Sequence, residues 1–198
     1  MIELWNPKWY WYNTFTENQQ TQATNLIDPL LLDKSLWNTQ PDWSRFSTGK
    51  SSTTYKNGEI LIEKFLDIVN PSLQQFVNEM PMKQKVDIKL ESIWLNKYDP
   101  NDNQEFHNHA RKTCNISMVY FYRNAADSFH FFDANWFPNR MSSLDTVMNL
   151  PSHEVITPNF KEGDILLFPS HYGHYVTPNP TQDIRVTVSG NFNIIPVL

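Results

Sequence analysis

The chain has 198 residues, of which 40% are hydrophobic and 14% aromatic, and its formal net charge is −5. This is enough apolar side chain for one domain with a substantial core, and it excludes a disordered polymer. The negative balance argues against coating nucleic acid by charge alone, which requires clustered Lys and Arg; Lys83, Lys85, Arg111 and Lys112 come nearest to a basic groove and read as solvated surface charge.

Cys114 is the single cysteine, so an intrachain disulfide is impossible and a reducing compartment fits better than secretion. The first seven residues lack the basic-then-apolar layout of a signal peptide, and no apolar run approaches membrane-spanning length. The expectation is a cytoplasmic protein with neither a membrane nor a nucleic-acid partner. No composition shift or low-complexity linker divides the chain, so residues 1–198 read as one domain.

Along the chain, the first segment is rich in Trp, Tyr, Asn and Thr. Trp5, Trp9, Tyr10, Trp11 and Tyr12 read as a sheet edge or a flap covering the core, because aromatic rings bring large apolar area. A short helix is expected from Leu26 to Leu36, with Pro29 in its first turn. Apolar residues at Ile60, Ile62, Phe65, Leu66, Val69, Leu73, Phe76 and Val77 follow helical spacing, and Asn70-Pro71 divides that run into two helices packed outside a sheet. After Pro81 the texture becomes β-branched and aromatic, bounded by Asn, Asp, Gly and Pro. Strands are expected at 86–98, 105–109, 115–122, 128–132, 153–157, 164–168, 174–177 and 184–195. Eight short strands suggest a mainly β fold, a double-sheet jelly roll with flanking α-helices. The division is then 1–85 for the aromatic segment and supporting helices and 86–198 for the jelly-roll core. The stretch from Ala134 to Leu150 has no such pattern and reads as a loop near a site, a candidate lid.

His107 and His109 are separated by one residue, and His174 is followed eleven positions later by Arg185. If residues 105–109 are extended, the two-residue period points both His107 and His109 to one face, within reach of one metal ion at about 2.1 Å. A chain with six histidines can place two of them two apart by chance, so the flanking sequence gives the pair its weight.

The segments Trp94-Leu95-Asn96-Lys97-Tyr98, His107-Asn108-His109, Glu162-Gly163-Asp164-Ile165-Leu166-Leu167-Phe168-Pro169-Ser170, His174-Tyr175-Val176 and Arg185-Val186-Thr187 resemble the iron(II)- and 2-oxoglutarate-dependent oxygenases. The likeness lies with a branch that places Phe-Pro-Ser before the distal histidine and ends in an Arg-x-Ser/Thr strand, on the prolyl 4-hydroxylase side of the superfamily. It spans Ile93 to Ile195 and implies a double-stranded β-helix, a cupin-like jelly-roll variant. By resemblance, His107 is the first metal ligand, His109 stands where a carboxylate is usual, and His174 is the distal ligand. Arg185 matches the arginine that grips the far carboxylate of 2-oxoglutarate, a task suited to a planar guanidinium. Thr187 shares its strand face, and Tyr98 and Asn96 match residues that touch the cosubstrate. The implied cofactors are Fe(II) and 2-oxoglutarate, and the implied activity is hydroxylation, or oxidative demethylation, of an unactivated carbon with release of succinate and CO2. Besides that small-molecule cosubstrate and molecular oxygen, the primary substrate is unidentified; a protein side chain such as proline is the leading class.

His109 departs from the usual two-histidine, one-carboxylate triad. Asp133, and after it Glu105, are the carboxylates that could take the third place instead. A three-histidine set also exists in cupin-type thiol dioxygenases that do not use 2-oxoglutarate, an alternative that Arg185 disfavours, and a noncatalytic β-sandwich binding module is a third reading. His171 competes with His174, but the Phe168-Pro169-Ser170 offset favours His174. His130 and His153 read as ordinary strand residues and Cys114 as a small buried one. Phosphate loops, nucleophile elbows and zinc ribbons have no counterpart in the sequence.

Overall fold

The computed structural model describes residues 8–33, 37–39, 53–55, 58–134, 141 and 154–197. Among them are eleven strands and two helices: β1 (Trp11–Thr14), α1 (Glu17–Leu32), β2 (Trp37–Thr39), β3 (Thr53–Tyr55), α2 (Gly58–Glu79), β4 (Val86–Tyr98), β5 (Gln104–His107), β6 (Ile116–Arg123), β7 (Phe129–Phe132), β8 (Val155–Ile156), β9 (Asp164–Pro169), β10 (His174–Val176) and β11 (Arg185–Pro196). They form a seven-stranded sheet in the order β1-β9-β6-β11-β4-β3-β2 and a four-stranded sheet in the order β5-β10-β7-β8. The recorded strand pairings are antiparallel.

Strand alternation sorts the apolar side chains into two layers. Ile93, Leu95, Met118, Tyr120, Ile165, Leu167, Val186 and Val188 point to one face of the large sheet, where Ala23 and Ile27 of α1 and Phe65, Val69, Leu73 and Phe76 of α2 cover them. Tyr98, Val119, Phe121, Leu166 and Phe168 point to the other face and meet Phe129, Phe131 and Val176 of the small sheet. Being covered on both sides, β9 is buried along its whole length and β6 over its first six residues.

Both helices depart from the expected pattern for identifiable reasons. The first runs over Glu17–Leu32, starting nine residues earlier than expected, so Pro29 falls near its C-terminal end. Thr16 caps it, its hydroxyl accepting from the Gln19 N–H while Gln19 Oε1 accepts from the Thr16 N–H. Its buried stripe is Gln19, Ala23 and Ile27, and one of these is polar, so apolar periodicity does not reveal it. Gln19 is tolerated there because its amide donates to the Ile68 carbonyl at 2.8 Å. The second helix is continuous through Asn70-Pro71, both exposed, so the hydrogen bond that proline forgoes lies on the solvent side. Phe65, Ile68, Val69, Leu73 and Phe76 carry one apolar stripe across the break, and packing overrides the local signal.

The strands lie close to their expected positions, with two consequences for the site. β5 ends at His107, so His109 lies beyond the strand and the two-residue period does not bring it beside His107. The N-terminal aromatics form an edge: β1 pairs with β9, Trp11 is buried under the helices with its indole N–H donated to Glu79, and Tyr10 and Tyr12 lie over Phe131 and Phe160. Trp5, His153 and nearly all of the candidate lid lie outside the described residues. Among the described residues no helix is long and apolar enough to cross a membrane.

Candidate metal centre

His107, the last residue of β5, is the register partner of His174, the first residue of β10, and their ring centroids are 4.2 Å apart. Two residues past the strand, the His109 N–H donates to the Ser170 carbonyl at 2.8 Å, which ties the loop to the end of β9 and turns the chain back toward the pair. The His109 ring then lies 5.0 Å from His107 and 5.2 Å from His174. One ring nitrogen from each of the three lies within 4.8 Å of the others, not far above the span of two metal–nitrogen bonds of about 2.1 Å. Among the described residues this is the group of His, Cys, Asp and Glu side chains close enough to share a metal ion.

Hydrogen bonding fixes which nitrogen two of these rings offer. His107 Nδ1 lies 2.7 Å from the Glu105 carbonyl and His174 Nδ1 lies 2.9 Å from the Tyr172 carbonyl. A carbonyl can only accept, so both Nδ1 atoms carry the proton and each Nε2 carries the lone pair. Phe129 stacks on His174 at 5.2 Å, Phe168 meets it edge-on at 5.0 Å, and Trp94 lies 5.6 Å from His109. This apolar surround disfavours imidazolium. Burial holds His107 below the ordinary histidine value and His174 well below it, and burial with the neighbouring His107 and Arg111 pushes His109 down to about 4. Three neutral nitrogen donors at pH 7 suit a borderline divalent ion such as Fe(II).

Among the described residues no carboxylate joins the group. Asp133 pairs with Lys8, and its backbone N–H bonds to Glu154. Glu105 contributes its backbone carbonyl to His107, and its side chain is not among the clustered ligands. His171 is exposed against Tyr172, His130 bonds to Thr157, and Cys114 is buried with its thiol toward the Ile116 carbonyl.

Arg185 opens β11 and is 2% exposed. Its guanidinium donates to three backbone carbonyls, from Nη1 to Thr177 at 2.6 Å, from Nε to Asn124 at 3.3 Å and from Nη2 to Pro178 at 3.5 Å. Among the described residues no carboxylate neutralises it. A buried cation held by carbonyls, with no carboxylate against it among the described residues, has the chemistry to accept an anion. The Tyr98 ring, its register partner on β4, lies 5.8 Å from the guanidinium carbon. The next inward positions are Thr187 and Asn96, also partners, with the Asn96 amide donating to Thr187 at 3.3 Å and to Ser189 at 2.9 Å. Arg185, Thr187, Ser189 and Asn191 alternate with Val186 and Val188, so a polar stripe on β11 faces the small sheet while the valines face the helices.

The sequence matches the family model described as "Putative 2OG-Fe(II) oxygenase" over residues 92–191, just over half of the chain. The chain belongs to this family. It is an Fe(II)- and 2-oxoglutarate-dependent oxygenase with O2 as the other cosubstrate, which sets aside both the cupin enzyme without 2-oxoglutarate and the noncatalytic sandwich. No curated protein sequence matches it. In fold the oxygenase is similar to a Pseudomonas putida prolyl-4-hydroxylase, with a TM-score of 0.59 and 11% identity over 94% of this chain and 92% of that one. A prolyl hydroxylase from Trichoplax adhaerens, in complex with a hypoxia-inducible factor peptide fragment, aligns with a TM-score of 0.61 and 11% identity over 93% and 83%. The epimerase SnoN of nogalamycin biosynthesis, in complex with Fe3+, alpha ketoglutarate and nogalamycin RO, aligns with a TM-score of 0.61 and 10% identity over 94% and 79%. These likenesses give the oxygenase the double-stranded β-helix fold, here with helices packed on the large sheet.

Sequence reasoning missed the groups that bond the three rings: the carbonyls of Glu105 and Tyr172, and Asn191, whose amide reaches His109. Asn191 had a signal, since it sits three strand alternations from Arg185 on the same face.

Proposed function

We propose that the oxygenase holds Fe(II) with His107, His109 and His174, anchors the far carboxylate of 2-oxoglutarate on Arg185, and hydroxylates an amino-acid side chain within a protein or peptide, with proline the leading class. The observation that carries the ligand assignment is the convergence of three neutral imidazoles at the mouth of the layer whose floor carries a buried, unneutralised arginine. The substrate class rests on the fold likeness to prolyl hydroxylases, one of them solved with a peptide. A single domain over 1–198 goes with this reading, supported by β1, which lies in the first 85 residues yet pairs with β9 of the core sheet.

The bound iron and cosubstrate supply the oxidising power, so that O2 and 2-oxoglutarate convert C–H to C–OH with release of succinate and CO2. The chain's own residues position and shield. His107 and His174 are held by carbonyls through Nδ1, which leaves the lone pair on Nε2 and orients it in advance. Phe129, Phe168 and Trp94 keep water from the rings. Arg185 binds carboxylate without first losing a protein partner, while Thr187, Asn96 and Tyr98 line the path between the anchor and the imidazoles.

Anaerobic addition of Fe(II) and 2-oxoglutarate to the full chain tests this. The visible charge-transfer band of the iron–2-oxoglutarate chelate is expected in the wild type and should be lost in His174→Ala and Arg185→Ala variants that remain folded. Succinate formation driven by proline-containing peptides tests the substrate class. A band unchanged by Arg185→Ala removes the anchor role, and turnover with a free metabolite but no peptide removes the protein-substrate reading.

A further inference from the structure

His107 and His174 are each oriented in the same way, with Nδ1 bonded to the carbonyl two residues earlier in the chain. His109, beyond the end of its strand, has no such bond. Its Nδ1 instead lies 3.4 Å from Asn191 Nδ2, on the inward stripe of β11. Asn191 is 1% exposed and sits between Ser92 of β4 and Ser117 of β6, its register partners on the two flanking strands. Its Nδ2 is 3.3 Å from Ser92 Oγ and its Oδ1 is 3.0 Å from Ser117 Oγ.

Hydroxyls both donate and accept, so the carboxamide can present either end to His109 while keeping both serine bonds. The two orientations have opposite chemical consequences. An amide nitrogen donating to Nδ1 leaves the imidazole proton on Nε2 and keeps that nitrogen from a metal. An amide oxygen accepting from Nδ1–H frees the Nε2 lone pair.

We propose that Asn191 is a positioning residue of the metal centre, its carboxamide oxygen accepting the His109 Nδ1 proton and committing Nε2 to the ion. Ser92 then donates to the same oxygen and Ser117 accepts from the amide nitrogen, so the two hydroxyls set the amide as the amide sets the ring. Asn191 thus supplies for the loop histidine what backbone supplies for the two strand histidines. The inference rests on the reading of His109 as a ligand.

The test is titration of the full chain with zinc(II), a redox-inert stand-in, by calorimetry. The variants are Asn191→Ala, Asn191→Asp, His109→Ala and the His109→Ala/Asn191→Ala double variant, with folding checked by circular dichroism. Asn191→Ala is expected to weaken zinc binding by about 10–100-fold. Asn191→Asp, which keeps an acceptor, should hold affinity within a few-fold of wild type, and the double variant should bind no more weakly than His109→Ala. Nitrogen-15 NMR of the wild-type zinc form should show His109 protonated at Nδ1, a readout that does not depend on whether any variant folds. Wild-type affinity in Asn191→Ala beside impaired His109→Ala, or an unprotonated His109 Nδ1, overturns the positioning role. Unimpaired zinc binding in His109→Ala instead overturns the three-histidine reading beneath it.

Discussion

His107 and His174 face one another across β5 and β10 as register partners, with their ring centroids 4.2 Å apart. Backbone pairing alone therefore holds two imidazoles together before any metal arrives. The folded chain keeps these rings neutral at a pH where the unfolded chain would protonate them, and that difference sets how the metal-free protein responds to acid.

Burial depresses all three histidines, His109 to about 4 from an ordinary value of 6.5. Between those values the unfolded state binds protons that the folded state does not, so stability is highest above pH 6.5 and falls as pH drops toward about 4. Urea midpoints of the metal-free protein should decline across that window, and His174→Leu should flatten the decline while abolishing metal binding. A midpoint constant over the window in the wild type would falsify this.

Metal should reverse the deficit. With free zinc or Fe(II) at about 100 times its dissociation constant, unfolding should cost about 2.7 kcal/mol more than without it. Chelation should return the lower melting temperature, and His107→Ala should melt identically with and without the ion. A melting temperature indifferent to chelation in metal-loaded wild type would argue against a built metal site.

In the proposed reading Arg185 adds anion binding to its observed hold on backbone carbonyls. Arg185→Lys keeps the charge but loses the fork that reaches the Thr177, Pro178 and Asn124 carbonyls, and should weaken 2-oxoglutarate binding about 10–100-fold, since a hydrogen bond to a charged group is worth about 1.5–3 kcal/mol. Zinc affinity should not change, because the guanidinium is not among the clustered ligands. Parallel calorimetry with zinc and with 2-oxoglutarate separates the two effects, and equal losses of both would mean that the substitution has disturbed the fold.

Gly163 has φ +89, and its carbonyl and N–H bond to Phe15 and Phe121. A Cβ there would adopt a disfavoured backbone conformation and lie 2.9 Å from the Gln20 amide nitrogen, which itself donates to Phe15. Gly163→Ala should destabilise by about 1–2 kcal/mol with metal affinity unchanged. Denaturant titration measures the first and calorimetry the second.

The strands of the core were legible because their inward and outward positions differ in chemistry, most plainly along β4 and β11. The three histidines that cluster were legible as a group because His-x-His and the distal histidine flank recognisable strands. What escaped depends on distant parts of the chain. The second helix ignores Pro71 because the sheet pulls one stripe across it, and α1 is concealed by Gln19, whose buried amide is satisfied by Ile68 far along the chain. His109 reaches the site through a bond to Ser170 rather than through the strand periodicity of its own segment. Asp133 lies outside the histidine cluster and pairs with Lys8, more than a hundred residues away, a contact its own segment does not announce.

The inward stripe of β11 carries both Arg185, the proposed anion anchor, and the residue that reaches the third imidazole, Asn191. Sliding this strand by one residue against β4 would turn Val186, Val188 and Gly190 into the cleft and send the arginine under the helices. One register therefore sets where both Arg185 and Asn191 fall, as two marks on a single ruler laid between β4 and β6.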